Sequence, residues 1–243
     1  MNEDQRKHKR EDGTVVKKRV KRAPQKDGIE NLRLTTVEPL TYAQRQFFES
    51  FGRGYHIVAE GVAGSGKSYV STYLALQELF AKRVERIIFL RSIVATRDIG
   101  FLPGSILEKS QPYWALYKDH VDELCGNGTA WDILSKKGLV EFESTSFVRG
   151  KTWNNAVVIM DEIQNHTKHE LYSSLTRIGK NSRVIVCGDS KQSDLSKRDT
   201  GWEYLKVLVG KTHDLFDTVT FTNNDIVRSD FVKQIIIADG EIQ

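Results

Sequence analysis

The sequence predicts an α/β domain: a mainly parallel sheet covered by helices on both faces. Three observations carry that prediction. Short runs rich in β-branched residues alternate with stretches of helical periodicity, the pattern of strands joined by crossover helices. Residues 61–68 read Gly-Val-Ala-Gly-Ser-Gly-Lys-Ser, a full match to G-x-x-x-x-G-K-[ST], between an apolar run and a helical pattern. Charged and polar motifs follow the strand candidates, where parallel sheets place their ligands.

The chain has 243 residues and a net charge of +4. Residues 1–27 hold ten Lys/Arg against five Asp/Glu, so the rest of the chain carries no excess of positive charge. This segment, with its run Lys17–Arg22, has little to bury and predicts a disordered basic tail able to contact nucleic-acid phosphates or simply to solubilise. Residues 28–243 are the right size for one domain. Cys125 and Cys187 are far apart and join no metal-binding pattern, so neither a zinc site nor a disulfide framework is indicated and a reducing cytoplasm is the expected setting. No apolar run reaches membrane-spanning length, so no membrane partner is expected.

Along the chain, a lead-in ending at Leu40 is followed by a helix from Thr41, the N-cap, to Glu49. Strand candidates are Tyr55–Glu60, Arg86–Leu90, Leu139–Phe142, Ala156–Met160, Arg183–Cys187 and Thr218–Phe221; Tyr69–Leu79 is helical. The stretch 97–138 exceeds an ordinary crossover and suggests an inserted helical arm.

The chemistry starts at the glycine-rich loop. Its glycines allow a tight turn whose N–H groups face phosphates at the positive end of a helix, with Gly61, Val62, Ala63, Gly64, Ser65, Gly66, Lys67, Ser68 and Tyr69 forming the nucleotide site. Lys67 would reach the β/γ-phosphates, and the Ser68 hydroxyl would hold Mg²⁺. Asp161-Glu162 follows the apolar run Val157–Met160: Asp161 is the second Mg²⁺ candidate, and Glu162 the residue that polarises an attacking water. The strand Arg183–Cys187 leads into Gly188–Leu195, where Gln192 can donate to a phosphate oxygen and accept from water. ATP and Mg²⁺ are the expected cofactors.

Gly61–Ser68, Asp161–Asn165 and Gly188–Leu195 together resemble the PhoH-like family, ATPases related to superfamily 1 helicases. Arg91–Gly104, Val148–Asn155, Leu175–Gly179 and Asp225–Arg228 extend the likeness over about residues 41–238. The resemblance implies a single RecA-like P-loop NTPase domain that hydrolyses ATP and acts on single-stranded RNA or DNA, RNA favoured, with helicase activity within its range. Four steps depart from the family pattern: Arg91-Ser92 for Arg-Pro, Arg97-Asp98-Ile99 for an acidic-glycine step, Asp161–Gln164 with Ile163 for alanine, and Val227–Ser229 with serine for histidine. Gln44 stands where related helicases place an adenine-reading glutamine. Arg91, Arg97, Arg149 and Lys151 are the candidate nucleic-acid contacts that the resemblance favours, with Phe101, Phe147 and Trp153 available for base stacking.

Charge developing on a transferring phosphoryl group is usually met by an arginine, worth roughly 10³–10⁵ in rate. A full helicase takes it from a second domain, which this sequence does not show. Arg177 and Arg228 are the candidates, and they point to a homo-oligomer, a hexameric ring being one form. Two other readings remain open. A small-molecule kinase would share the loop but would want an acceptor pocket and a lid; an ATP-switched protein adaptor would need no motor activity.

Overall fold

The computed structural model describes residues 28–93, 106–189, 192, 200–212 and 214–242; the basic tail, Arg97 and Phe101 lie outside the described residues. The chain divides into two units. The first ends at Asn31 and, among the described residues, contributes a 3-10 turn over Ile29–Asn31. The second begins at Leu32 and carries the sheet.

Six strands form that sheet: β1 His56–Gly61, β2 Arg86–Arg91, β3 Val140–Ser144, β4 Ala156–Asp161, β5 Arg183–Gly188 and β6 Phe216–Phe221. Their order is β3-β2-β4-β5-β1-β6, and every pairing is parallel. Each matches a sequence candidate within a residue or two. The helices are α1 Tyr42–Gly52, α2 Lys67–Phe80, α3 Ile106–Leu124, α4 Ala130–Lys136, α5 Lys168–Leu175, α6 Trp202–Lys211 and α7 Asp230–Ile242. Thr41 caps α1 as expected, its hydroxyl accepting from the Gln44 N–H.

Strand alternation sends successive side chains to opposite faces, and both faces are covered. Val58, Ile88, Leu90, Val158, Met160, Val184 and Val186 join Leu171 of α5 and Trp202 and Leu205 of α6 in one core. On the other face Phe89 stacks on Tyr117 of α3 with ring centroids 4.7 Å apart, and Cys187 meets Ser71 of α2 at 3.1 Å. Cys187 is thus a buried core thiol, and burial pushes its pKa well up.

The stretch expected as a helical insertion carries two helices among its described residues. Its described portion, α3 and α4, folds back on the sheet: Tyr117, Val121 and Leu124 are fully buried, and Trp114 stacks on Trp131 with 3° between their planes. Pro112 lies inside α3 without ending it.

This topology gathers the motifs. β1 ends at the glycine-rich loop, β2 at Arg91, β4 at Asp161 and β5 at Gly188, all at the carboxyl edge of one sheet. The strand bearing the third motif, β5, lies between β1 and β4.

Candidate active site

The loop between β1 and α2 takes a backbone path open to glycine and is held by its own polar groups. Gly61, Gly64 and Gly66 all have positive φ, at 136°, 73° and 83°. At Gly61 a Cβ would lie 2.0 Å from the Phe221 carbonyl oxygen of the neighbouring strand, so contact as well as conformation demands glycine. Ser65 is buried and donates its hydroxyl to the Val62 carbonyl at 2.8 Å. Lys67 folds back under the loop, donating to the carbonyls of Gly61 and Val62 at 2.8 Å each. Burial holds the Lys67 pKa below its ordinary value, while Asp189, Asp161 and Glu162 act in the opposite sense.

Facing the loop is the end of β4. Asp161 is 3% exposed and accepts from the Tyr117 hydroxyl at 3.1 Å and from the Glu162 N–H at 3.0 Å. The next residue takes a left-handed conformation that non-glycine residues seldom adopt: Glu162 has φ 54° and ψ 46°. Burial and the Asp161 charge raise the Glu162 pKa; Arg91 and Gln164 oppose the shift. One carboxylate oxygen of Glu162 lies 4.0 Å from the Arg91 guanidinium, and the other accepts from the Gln164 amide. Gln164 also accepts from the Asp189 N–H at 3.1 Å, so one amide ties the acidic pair to the end of β5.

Behind this edge a buried polar network holds the backbone. His166 is fully buried, its Nε2 within 3.2 Å of both the Ser92 N–H and the Asp161 carbonyl. Burial drives its pKa down to about 4. Glu170 collects the hydroxyls of Ser92, Thr145 and Thr167, closing the capping box of α5.

Loop, carboxylates and strand end line one cleft of about 210 Å³, walled by Ala63, Gly64, Gly66, Lys67, Ser68, Tyr69, Asp161, Glu162, Gln192 and Arg228 among others. A second cleft of about 370 Å³ adjoins it, sharing Gly64, Gly66, Tyr69, His120 and Arg228 and continuing past Val37, Glu38, Leu40 and Gln44. The first has the donors and carboxylates a triphosphate needs, and the second the apolar and aromatic walls of a base site. The Asp161 carboxylate lines the first cleft and, among the described residues, forms no ion pair; Ser68 lies on the same wall, a donor set suited to a hard cation that keeps oxygen ligands.

The other candidates fall into place unevenly. Gln192 and Arg228 reach the cleft. Arg177 does not: its carbonyl accepts from the Trp153 N–H, ahead of the start of β4, at the far end of the sheet. Gln44 is buried rather than free, its amide donating to the Ser65 carbonyl at 3.0 Å and accepting from the Leu40 N–H at 2.8 Å. Trp153 is 1% exposed and packed in the core, so it offers no stacking face; the fold needed a large side chain ahead of β4. Arg91 stands beside Glu162, and Lys151 pairs with Glu143 at 2.8 Å, whereas Arg149 and Phe147 are exposed. Tyr117, His120 and Gln164 were not anticipated. Tyr113, Tyr117 and His120 follow helical spacing, but such a stripe reads as ordinary core until the helix is seen against the cleft.

A glycine-rich loop leading into a helix and an acidic strand end, facing one cleft at the carboxyl edge of this strand order, define one class: the RecA-like P-loop domains. Within that class, the PhoH-like protein family model matches residues 36–239, and the chain belongs to that family. It is 31% identical over 210 residues to a PhoH-like protein of Mycobacterium leprae (strain TN), covering 86% of this chain and 60% of that one. With Protein PhoH of Escherichia coli (strain K12) it shares 40% identity over 157 residues, 64% of this chain and 44% of that one. The chain therefore spans about half the length of these curated relatives. Among solved structures, the large terminase of a thermophilic bacteriophage superposes with a TM-score of 0.50 at 11% identity, over 82% of this chain and 50% of that one, a likeness of fold alone.

Proposed function

We propose that this chain is a Mg²⁺-dependent ATPase that couples hydrolysis to binding or remodelling single-stranded nucleic acid, RNA in preference to DNA. The observation that carries it is the meeting of Lys67, Ser68, Asp161, Glu162, Gln192 and Arg228 on one cleft. Bound Mg²⁺ would be held by Ser68 and Asp161 and would neutralise phosphate charge. Lys67 exchanges its contacts with the loop carbonyls for phosphate oxygens. Glu162 orients the attacking water, its raised pKa suiting it to accept a proton. Gln192 bridges that water and the phosphate, and Arg228 meets the developing charge within the same chain.

Exposed Arg149 and Phe147 follow β3 at the cleft's end of the sheet, which supports a nucleic-acid path there. Arg177, set at the opposite end, serves only a neighbouring copy, and in this reading the active form is a homo-oligomer.

ATP hydrolysis with and without oligo(U) or oligo(dT), beside Lys67→Ala, tests the proposal. Lys67-dependent turnover raised more by oligo(U) supports it. Phosphate moving only to an added small acceptor would establish a kinase, and turnover indifferent to both polymers would remove the nucleic-acid role.

A further inference from the structure

Arg91 is the last residue of β2, and its Cα is in register with Asp161 on β4. Its guanidinium lies 4.0 Å from one oxygen of Glu162 and 5.8 Å from the centre of the Tyr113 ring, and the side chain is 24% exposed. Arg91 is absent from the walls of the phosphate cleft, whereas Glu162 is part of them. The arginine reaches the carboxylate from beside the cleft, next to the Tyr117 hydroxyl, which it also bonds and which itself donates to Asp161. The backbone on which it stands is pinned, because Ser92 bonds His166 through its N–H and Glu170 through its hydroxyl. Any response is confined to the side chain.

With Gln164 on its other oxygen, Glu162 is held from two sides at once while its backbone occupies a strained conformation. The two holds differ in kind. The Gln164 contact is short and is itself braced on Asp189. The Arg91 contact is long and partly open to solvent. A phosphodiester oxygen pair offers a guanidinium two parallel hydrogen bonds, better geometry than this contact has.

We propose that Arg91 is a positioning residue that restrains Glu162 and yields this contact to a phosphodiester of single-stranded nucleic acid. Occupancy of the strand then frees the carboxylate to orient water. This rests on the ATPase reading above and adds how its stimulation arises. It predicts that Arg91 acts on turnover and not on nucleotide affinity, which separates it from Lys67 and from a phosphate-clamping arginine.

The test is kcat and KM for ATP, with and without oligo(U), in wild type, Arg91→Ala and Arg91→Lys, with fluorescent-nucleotide binding as a check that each variant is folded. Arg91→Ala should raise unstimulated kcat about fivefold, the scale of a partly exposed ion pair. Its KM should stay as in wild type, and oligo(U) should add little. Arg91→Lys, which keeps the charge but not the fork, should lie between the two. A fall in unstimulated kcat, or unchanged kcat with stimulation intact, overturns the proposal. So does an Arg91→Ala protein that binds nucleotide but is as silent as a silent wild type. Should wild type be silent with and without polymer while Arg91→Ala turns over ATP, the restraint stands and the nucleic-acid trigger falls.

Discussion

Replacing Gln44 separates two roles that one glutamine in this position could have. In the structure the residue is 4% exposed, and its amide donates to the Ser65 carbonyl within the phosphate loop and accepts from the Leu40 N–H. Gln44→Ala removes both bonds and leaves two backbone groups near the loop without their partners. A typical loss is about 1–2 kcal/mol, a factor of roughly 5–30 in the population of the competent loop. ATP and GTP use that loop through the same phosphates, so both should weaken by the same factor. A glutamine that reads the adenine edge predicts something else: ATP alone loses affinity, because GTP presents the opposite donor and acceptor. Gln44→Glu sharpens the contrast, since a carboxylate cannot donate to the Ser65 carbonyl and should impair both nucleotides further. Calorimetric titration of the two nucleotides into wild type and both variants supplies the ratio. An ATP:GTP affinity ratio that collapses toward one in Gln44→Ala, with GTP binding intact, refutes the structural role.

Gly61→Ala should destabilise by at least about 3 kcal/mol, from a Cβ set 2.0 Å from the Phe221 carbonyl and a φ of 136°, whereas Gly52→Ala, with open space around it, should be neutral or slightly stabilising; urea midpoints compare them. Acid should weaken the fold before the carboxylates titrate. His166 has a folded pKa of about 4 against an ordinary 6.5, so unfolding takes up a proton between those values, and stability present above pH 6.5 is lost as pH falls toward 4. That loss reaches about 3 kcal/mol from His166 alone, His56 and His120 add to it with the same sign, and His166→Gln should flatten the slope of urea midpoint against pH. Arg228→Ala should lower kcat about 10³-fold at every protein concentration, while a loss in Arg177→Ala that is rescued by mixing with a Lys67→Ala protein would show action across a subunit boundary.

How much of this was legible in the sequence depends on the range of the interaction. Strand positions were, because a buried parallel strand writes itself as a short apolar run: Ala156–Met160 is buried throughout. The cleft's acidic pair was legible for the same reason, as the first charged residues after such a run. What the sequence did not reveal are the contacts that the fold makes between separate elements. Gln44 carries the chemistry of a base reader, and only its burial against Ser65 shows its amide already taken. Trp153, an aromatic in a basic stretch, looks like a stacking platform until the core is seen to cover it. Arg91 and Glu162 lie far apart in sequence, and no pattern pairs them.

The sheet order explains why the site is coupled as well as assembled. Because β5 lies between β1 and β4, the Asp189 N–H emerges beside the acidic pair and is bonded by Gln164, two residues beyond Glu162. Space there is already filled: a Cβ at Gly188 would lie 2.4 Å from Ile163, 2.8 Å from the Gln164 side-chain oxygen and 3.0 Å from Trp202. The end of β5 is thus packed directly against Gln164, with little empty volume between them. Since Gln164 also donates to Glu162, the end of β5 and the carboxylate share one amide, while Arg91 contacts the same carboxylate from β2. Glu162, with its left-handed backbone, is the point at which the two meet.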